Sequence, residues 1–462
     1  MGNPERIEAL EQTQSNDVSE EKIGLGEKVG FGLGDLATNL VWGAMGTYVV
    51  YFYTDIIGVA AGIIGTIMLF SRLFDGVTDV IMGSIVDKVN SRHGKARAWI
   101  KWLAIPFAIA TVLLFTVPDI SDIGKIIYII ITYNLIALIY TGINIPYGVL
   151  NALMTQHQYQ RSVLNIFRMV SGQTGGLIVG VLTLPMVALF GGGQSGWVFA
   201  FVVYAIVAAA LFGVTFKTTT ERVKPVKKTK TKIPFKTSVK LLFKNKYWAM
   251  ITMLFILTFI YLAITGGSTI YFAQYILGDV NLVSLLLMAN TIPIILGMVV
   301  LAPIVKRIGK RNAIIGATFI SITGALLVLV NTSSLLVVLA GIILRGIGQA
   351  AIVGTIFAML ADTIEYGEWK TGIRNEGMIY AGGSMGFKLG TGVGSALVGW
   401  LLAWGGYVGG QATQVGSALF SIEALFIYLP IILNILQILL LSFYKLDKEY
   451  PMIVKDLRNR SL

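Results

Sequence analysis

Three ionisable side chains share one face of an otherwise apolar segment. Arg72, Asp75 and Asp79 occur in the run SRLFDGVTD, at spacings of three and four residues that bring side chains together on a helix. Two carboxylates one turn apart, with a hydroxyl nearby, supply hard oxygen ligands for Na+ or hold a titrating proton. The alternative is structural, with Arg72 neutralising one acid and tying two helices together. We favour the cation site because one guanidinium cannot offset two carboxylates.

Further polar side chains interrupt other apolar runs. Asp35 and Asn39 lie four apart in GLGDLATN, Thr141 and Asn144 lie in YTGINIPYG, and Lys388 lies in GGSMGFKLGTGVG. A charged side chain in the middle of a membrane helix costs roughly 2.5 to 3.5 kcal/mol on insertion scales, so it needs a partner, water or a function. Lys388 is near the middle of its run, and we expect it to offset the acids across a central cavity.

The segments that must position these side chains are long and apolar. Of 462 residues, 55% are hydrophobic and 13% are charged, which is more apolar surface than one soluble core can bury. Apolar runs of about 20 residues fit helices that cross a bilayer, because a lipid-facing backbone must satisfy its own hydrogen bonds. We therefore predict an all-α membrane protein of twelve transmembrane helices, near 31–54, 58–86, 99–117, 125–149, 165–190, 196–216, 247–276, 281–305, 312–330, 335–361, 377–404 and 417–444.

The placement of the basic residues predicts the orientation. The net charge is +12, and Lys and Arg concentrate in alternate connections and the C-terminal tail, whereas the opposite connections have none. By the positive-inside rule, both termini should be cytoplasmic, in a multi-pass protein of the cell (inner) membrane. This alternation disfavours a nucleic-acid partner. The polar first 25 residues predict no secretory signal, and the absence of Cys excludes disulfides and thiolate metal sites. No cofactor is expected.

A basic connector divides the spans into two groups of six. Residues 217–246 hold eleven Lys or Arg against one acid, Glu221, and we interpret them as a solvated tether beside anionic lipid headgroups. A weak sequence similarity between 83–97 and 302–311 supports a duplication, although chance similarity between two basic loops is the alternative. The predicted organisation is therefore an N-terminal tail, a first half, the connector, a second half and a C-terminal tail, at 1–29, 30–216, 217–246, 247–444 and 445–462.

Several motifs match one known family. They are YFYTDIIG (51–58), SRLFDGVTDVIMG (71–83), SRHGKARAW (91–99), INIPYG (143–148) and ADTIEYGEWKTGIRNEG (361–377). With them, the chain resembles the glycoside-pentoside-hexuronide:cation symporters, the group of the major facilitator superfamily that includes melibiose permease. The resemblance implies a cation site of Asp75 and Asp79 with Thr141 as a further oxygen donor. It also implies roles in sugar binding or coupling for Arg72, Arg168 and Lys388.

The chain departs from the melibiose permease pattern at three positions. Asn39 and Asn144 stand where that protein has acids, and Gly148 stands where it has an aromatic residue. Amides still hydrogen-bond sugar hydroxyls as donors and acceptors. We therefore expect a pentoside or other short glycoside rather than a galactoside. The expected substrate-binding residues, called the polar set below, are Asp35, Asn39, Asn144, Arg168 and Lys388.

The expected mechanism is alternating access, with H+ or Na+ as the coupling ion. The segment 361–377 is rich in charge, and we assign Glu365 and Arg374 to salt bridges of an inner gate, with Arg72 in coupling. An enzyme is not expected, and no ATP-binding GxxxxGK[ST] loop occurs. The alternative is a lipid or amphiphile transporter of the same fold. The expected partners are a small sugar and membrane lipid, with a monomer as the working assumption.

Overall fold

The chain folds into long helices. A computed structural model describes residues 23–88, 91–155, 158–223, 242–373 and 376–461. The helices are α1 (Leu25–Thr47), α2 (Ala61–Lys88), α3 (Arg97–Phe115), α4 (Asp122–Met154), α5 (Gln158–Leu189), α6 (Gly193–Thr218), α7 (Lys246–Tyr271), α8 (Leu282–Ile308), α9 (Lys310–Val330), α10 (Leu335–Thr371), α11 (Glu376–Trp404), α12 (Gly416–Ser442) and α13 (Leu446–Ser461). The described part of the chain contains no strand, which agrees with the predicted all-α class.

Eleven of the described helices, α2 to α12, are long and apolar enough to cross a membrane. The first predicted span corresponds to α1, which has 23 residues and continues through Val49–Tyr51 and a π turn at Phe52–Ile56. This helix carries Asp35 and Asn39 and is not among the eleven. The helices therefore follow the twelve predicted spans, and the chain is a multi-pass membrane protein.

Helix packing repeats itself with an offset of six helices. In the first half, α1 packs on α5 and α6, α2 packs on α4, and α3 packs on α4 and α6. In the second half, α7 packs on α11 and α12, α8 packs on α10, and α9 packs on α10 and α12. The two halves meet where α2 lies against α11, α5 against α8 and α1 against α7. The structure therefore contains two six-helix halves of the same architecture, as the major facilitator fold requires.

The weak sequence similarity between the two basic loops corresponds to a contact that occurs in both halves. The Glu221 carboxylate accepts hydrogen bonds, each of 2.8 Å, from the backbone N–H groups of 95–97, at the start of α3. Asp447 accepts one of 2.7 Å from the Arg311 N–H, at the start of α9. Arg97 and Arg311 each donate to carbonyls near the end of the sixth helix of their half. A carboxylate at a helix N-terminus is favoured by the unpaired N–H groups and the helix dipole.

A second internal repeat lies at the opposite ends of α1 and α7. Residues 51–58 read YFYTDIIG and residues 271–278 read YFAQYILG. Both segments form a π turn, Phe52–Ile56 and Phe272–Ile276, and both end in a glycine of positive φ, at 83° for Gly58 and 76° for Gly278. We call this side of the bundle the distal side. The side at which α1 begins and α12 ends is the terminal side.

Candidate functional site

The structure brings Asp75, Asp79 and Thr141 together at the middle of α2 and α4. The Thr141 hydroxyl lies 2.8 Å from Asp75 Oδ1 and 3.0 Å from Asp79 Oδ1, and its single proton is donated to one carboxylate at a time. Asp75 is only 1% exposed, and the Asp79 side chain is 19% exposed. The Asp75 carboxylate is therefore buried inside the bundle, and the Asp79 carboxylate is partly buried beside it.

Lys388 reaches the same carboxylates from the second half. Its ammonium lies 3.2 Å from Asp75 Oδ2, forms a closer ion pair with Asp79 Oδ2, and donates to the Asp75 carbonyl at 3.0 Å. The side chain is 11% exposed. The ammonium therefore supplies the positive charge between the two acids, and its contacts join α11 to α2. We call Asp75, Asp79, Thr141 and Lys388 the carboxylate cluster.

Arg72 is only loosely paired with the cluster. Its Nη1 lies 3.8 Å from Asp75 Oδ2, and its guanidinium carbon lies 3.9 Å from the centre of the Trp42 indole. Among the described residues, the Arg72 Nε and Nη1 atoms have no hydrogen-bond partner. Two cationic and two acidic side chains meet here, so Arg72 and Lys388 together balance the charge that one guanidinium alone cannot.

Four members of the polar set form a second cluster within the first half. Arg168 Nε lies 3.0 Å from Asp35 Oδ1, and Arg168 Nη2 donates to Asn144 Oδ1 at 3.3 Å. Asn39 Nδ2 donates to the Asp35 carbonyl at 2.8 Å and lies 3.4 Å from its carboxylate. These residues come from α1, α4 and α5, whereas the fifth member, Lys388, belongs to the carboxylate cluster.

Two aromatic residues that the sequence analysis did not select lie between the clusters. Trp42 stacks on Tyr140 with ring centres 4.1 Å apart. The Arg72 guanidinium also lies over the Trp42 ring. Tyr140 directly precedes Thr141 and lies one turn from Asn144, and Trp42 lies three residues after Asn39. Helical spacing from the polar residues is the signal that could have identified both rings.

The predicted inner gate is only partly described. Glu365 lies in the terminal-side end of α10, and Arg374 lies outside the described residues. In the same segment Asp362 pairs with Lys310 at 2.5 Å. Both belong to the second half, so this ion pair braces α10 against α9 and does not connect the halves. The gating roles of Glu365 and Arg374 stay predictions.

On the distal side, one carboxylate connects the halves. Asp55 Oδ1 accepts a hydrogen bond of 2.5 Å from the Tyr407 hydroxyl and longer ones from the Tyr275 hydroxyl, at 3.4 Å, and from the Gly410 N–H, at 3.3 Å. Asp55 and Tyr275 occupy equivalent positions in the repeated segments that end α1 and α7. We call these four residues the distal latch.

Comparisons with known proteins identify the family. The isoprimeverose transporter of Lactiplantibacillus pentosus is 34% identical over 98% of this chain and 95% of its own. The inner membrane symporter YicJ and the glucuronide carrier protein homolog, both of Escherichia coli (strain K12), are 32% and 31% identical, covering 92% and 94% of this chain and 92% and 95% of their own.

A solved transporter structure has a similar fold. The crystal structure of the nucleoside transporter NupG superposes with a TM-score of 0.60 at 15% identity, over 91% of this chain and 100% of that one. A family model described as MFS/sugar transport protein matches residues 30–448. The two-half helix packing and the match over nearly the whole membrane domain lead to one conclusion: the chain belongs to the MFS/sugar transport protein family.

Proposed function

We propose that this protein is a secondary transporter that couples the uptake of a sugar or short glycoside to H+ or Na+ by alternating access. The observation that carries the proposal is the carboxylate cluster, because its acids lie on α2 of one half and its ammonium on α11 of the other. Ligand binding at such a cluster alters the attraction between the halves. The family and the names of its relatives, which include a symporter and sugar carriers, support the same function.

In the proposed cycle, the coupling ion competes with the Lys388 ammonium for Asp75 and Asp79. A bound Na+ or proton offsets the carboxylate charge and releases Lys388, which weakens a contact between the halves. Sugar and cation affinities are then linked, and each ligand favours the binding of the other by the same factor. Each positive charge that crosses a potential of 100 mV gains about 2.3 kcal/mol, which drives sugar accumulation.

The orientation follows from the basic connections. We place the terminal side in the cytoplasm because the Lys- and Arg-rich loops and the C-terminal tail lie there. The distal latch is then extracytoplasmic. Its hydrogen bonds between halves support a conformation in which the outer entrance is closed.

The polar set supports a neutral sugar. Arg168 is paired with Asp35, so the cluster offers no unpaired guanidinium to a charged substrate. Asn39 and Asn144 add amides that donate to and accept from hydroxyl groups. A site of this kind recognises a neutral pentoside or another short glycoside, which agrees with the transport of isoprimeverose by the first relative.

One observation favours a lipid or amphiphile as the second candidate substrate. A cavity of about 570 Å³ lies between α2 and α4, lined mainly by apolar side chains that include the exposed Phe70 and Ile131. A lateral apolar opening is what a lipid path requires. The lining includes none of the polar set, so the sugar remains the primary candidate.

The test is transport by the purified protein in liposomes. Labelled methyl xylosides and isoprimeverose are offered with Na+, Li+ or proton gradients, for the wild type and for Asp75→Asn and Asp79→Asn. We expect gradient-driven accumulation by the wild type and its loss in both variants. Asp119→Asn is the matched control, because the Asp119 side chain is fully exposed, at 103%.

Undiminished accumulation by both cluster variants would reject the assignment of the cation site to Asp75 and Asp79. Failure of the wild type to accumulate any sugar under any gradient would reject sugar symport. A lipid-transfer assay on the same liposomes, with a fluorescent phospholipid, then tests the second candidate.

A further inference from the structure

A cavity lined by residues of both halves lies outside the two clusters. The cavity measures about 260 Å³ and is lined by one residue of the first half, Gln173 on α5, and otherwise by α7, α8 and α10. The side chains that define its chemistry are Phe259, Asn290, Thr291 and Phe357. Within the described ranges, no charged residue lines it. This volume lies just below the range of about 300–1,000 Å³ typical of drug-sized pockets, as expected for a space that holds one ring.

The cavity adjoins the polar set through α5. Gly172 lies so close to α1 that a β-carbon added there would collide with the Asp35 carboxylate and would lie 3.1 Å from Asn39 Nδ2. Gln173 is the next residue, and successive helical residues point about 100° apart. Gln173, which lines the cavity, therefore directly follows the residue that packs against Asp35 and Asn39, and this places the cavity beside the polar set along α5.

Three polar side chains of the cavity have no hydrogen-bond partner among the described residues, whereas the fourth, Thr258, accepts from Gln437 at 3.4 Å. Within the described residues, the side chains of Gln173, Asn290 and Thr291 make no hydrogen bond with another group. Polar groups inside a membrane protein need water or a ligand to satisfy them. By contrast, the amides of the polar set are bonded to neighbouring side chains and carbonyls. The unsatisfied amides of the cavity are therefore available for ligand hydroxyls.

Aromatic rings provide the complementary surface. Phe357 is 50% exposed, and Phe259 is held edge-on by Phe387 with ring centres 4.5 Å apart. Phenyl rings offer an apolar face to a ring in the same cavity. Carboxamides beside phenyl rings, without charged groups, suit a neutral ring that has both hydroxyl groups and C–H faces.

We propose that this cavity is the subsite for the second ring, or aglycone, of a glycoside whose first ring is bound by the polar set. The inference rests on the proposed sugar transport and specifies its substrate class: glycosides with a neutral second ring, in preference to free monosaccharides. The first half then selects the first ring, and α7, α8 and α10 of the second half select what is attached to it.

The test compares Asn290→Leu with the wild type. Inhibition constants are measured against the uptake of labelled methyl α-xyloside in liposomes, with unlabelled methyl α-xyloside and with isoprimeverose, a xylosyl-glucose disaccharide. We expect the affinity for the disaccharide to fall about tenfold when hydrogen bonds to the second ring are lost. The affinity for methyl α-xyloside should stay within about twofold, because that ligand has one ring.

Asn312→Leu is the matched control. Asn312 is exposed near the terminal-side start of α9 and donates to the Ile308 carbonyl, so the same substitution there should change neither constant. A parallel loss for both ligands in Asn290→Leu, or no loss for either, would overturn the subsite while leaving sugar transport itself intact. Absence of uptake of any sugar by the wild type would instead overturn the proposed function.

Discussion

The distal latch provides a quantitative test of how the halves are held together. Asp55 accepts from Tyr407, Tyr275 and Gly410, all of which belong to the second half. Tyr407→Phe removes the shortest of these hydrogen bonds, at 2.5 Å, and keeps the ring. The substitution also removes the 3.2 Å hydrogen bond to the Tyr275 hydroxyl within the second half. It should therefore destabilise the conformation with a closed distal side.

The magnitude follows from the type of bond. A hydrogen bond to a charged group contributes about 1.5–3 kcal/mol, and about 1.4 kcal/mol corresponds to a factor of ten in an equilibrium constant. Asp55 is partly exposed, and its remaining donors can compensate in part. We therefore expect an effect at the lower end of this energy range, which is an increase of about tenfold in the population that is open on the distal side.

Cysteine labelling measures this population. The chain has no Cys, so Ser268→Cys introduces a single thiol of similar size. Ser268 is fully buried, and it lies on α7 three residues before Tyr271, whose hydroxyl contacts Thr54 of the first half. Ser268 and Tyr271 therefore lie on the same face of α7, and this face points to the junction between the halves. A membrane-impermeant maleimide is added outside intact cells.

The Tyr407→Phe protein should be labelled about ten times faster than the protein with Ser268→Cys alone. The matched control is Tyr204→Phe, which also removes a buried hydroxyl, 3.1 Å from Thr183, but within the first half. Equal labelling rates for the two phenylalanine variants would refute the argument that the latch holds the halves together.

Two further predictions concern the interface of α2 and α11. Lys388→Met leaves the buried Asp75 and the partly buried Asp79 without their nearest cation. The free energy of unfolding should therefore fall by about 3 kcal/mol, read as a lower melting temperature in detergent. Added Na+ should recover part of that loss in the variant, and an unchanged melting temperature would contradict the energetic role of the ion pairs. Gly399→Ala places a β-carbon against the Ala61 carbonyl, so it should open the distal side and raise Cys labelling. Gly213→Ala should not raise labelling, because no atom outside its own helix backbone lies within 4 Å of the new carbon. Equal effects of the two substitutions would exclude helix contact as the cause.

Much of the carboxylate cluster could be predicted from local sequence. Arg72, Asp75 and Asp79 share a face because helical periodicity is a property of consecutive residues. Charged residues are also conspicuous in apolar runs, since burial makes them costly. The number of spans and the division into halves depend on the same local hydropathy. The structure agrees with the two halves, and eleven of its described helices are long and apolar enough to cross a membrane.

Tertiary structure alone decided which charges meet and what lies between them. Lys388 reaches Asp75 across 313 positions of sequence, because glycines such as Gly399 allow α11 to approach α2 closely. No local period identifies a partner on another helix. The same applies to the Trp42–Tyr140 pair. Aromatic residues occur throughout a membrane protein, and only the packing of helices shows which rings face the polar interior instead of lipid.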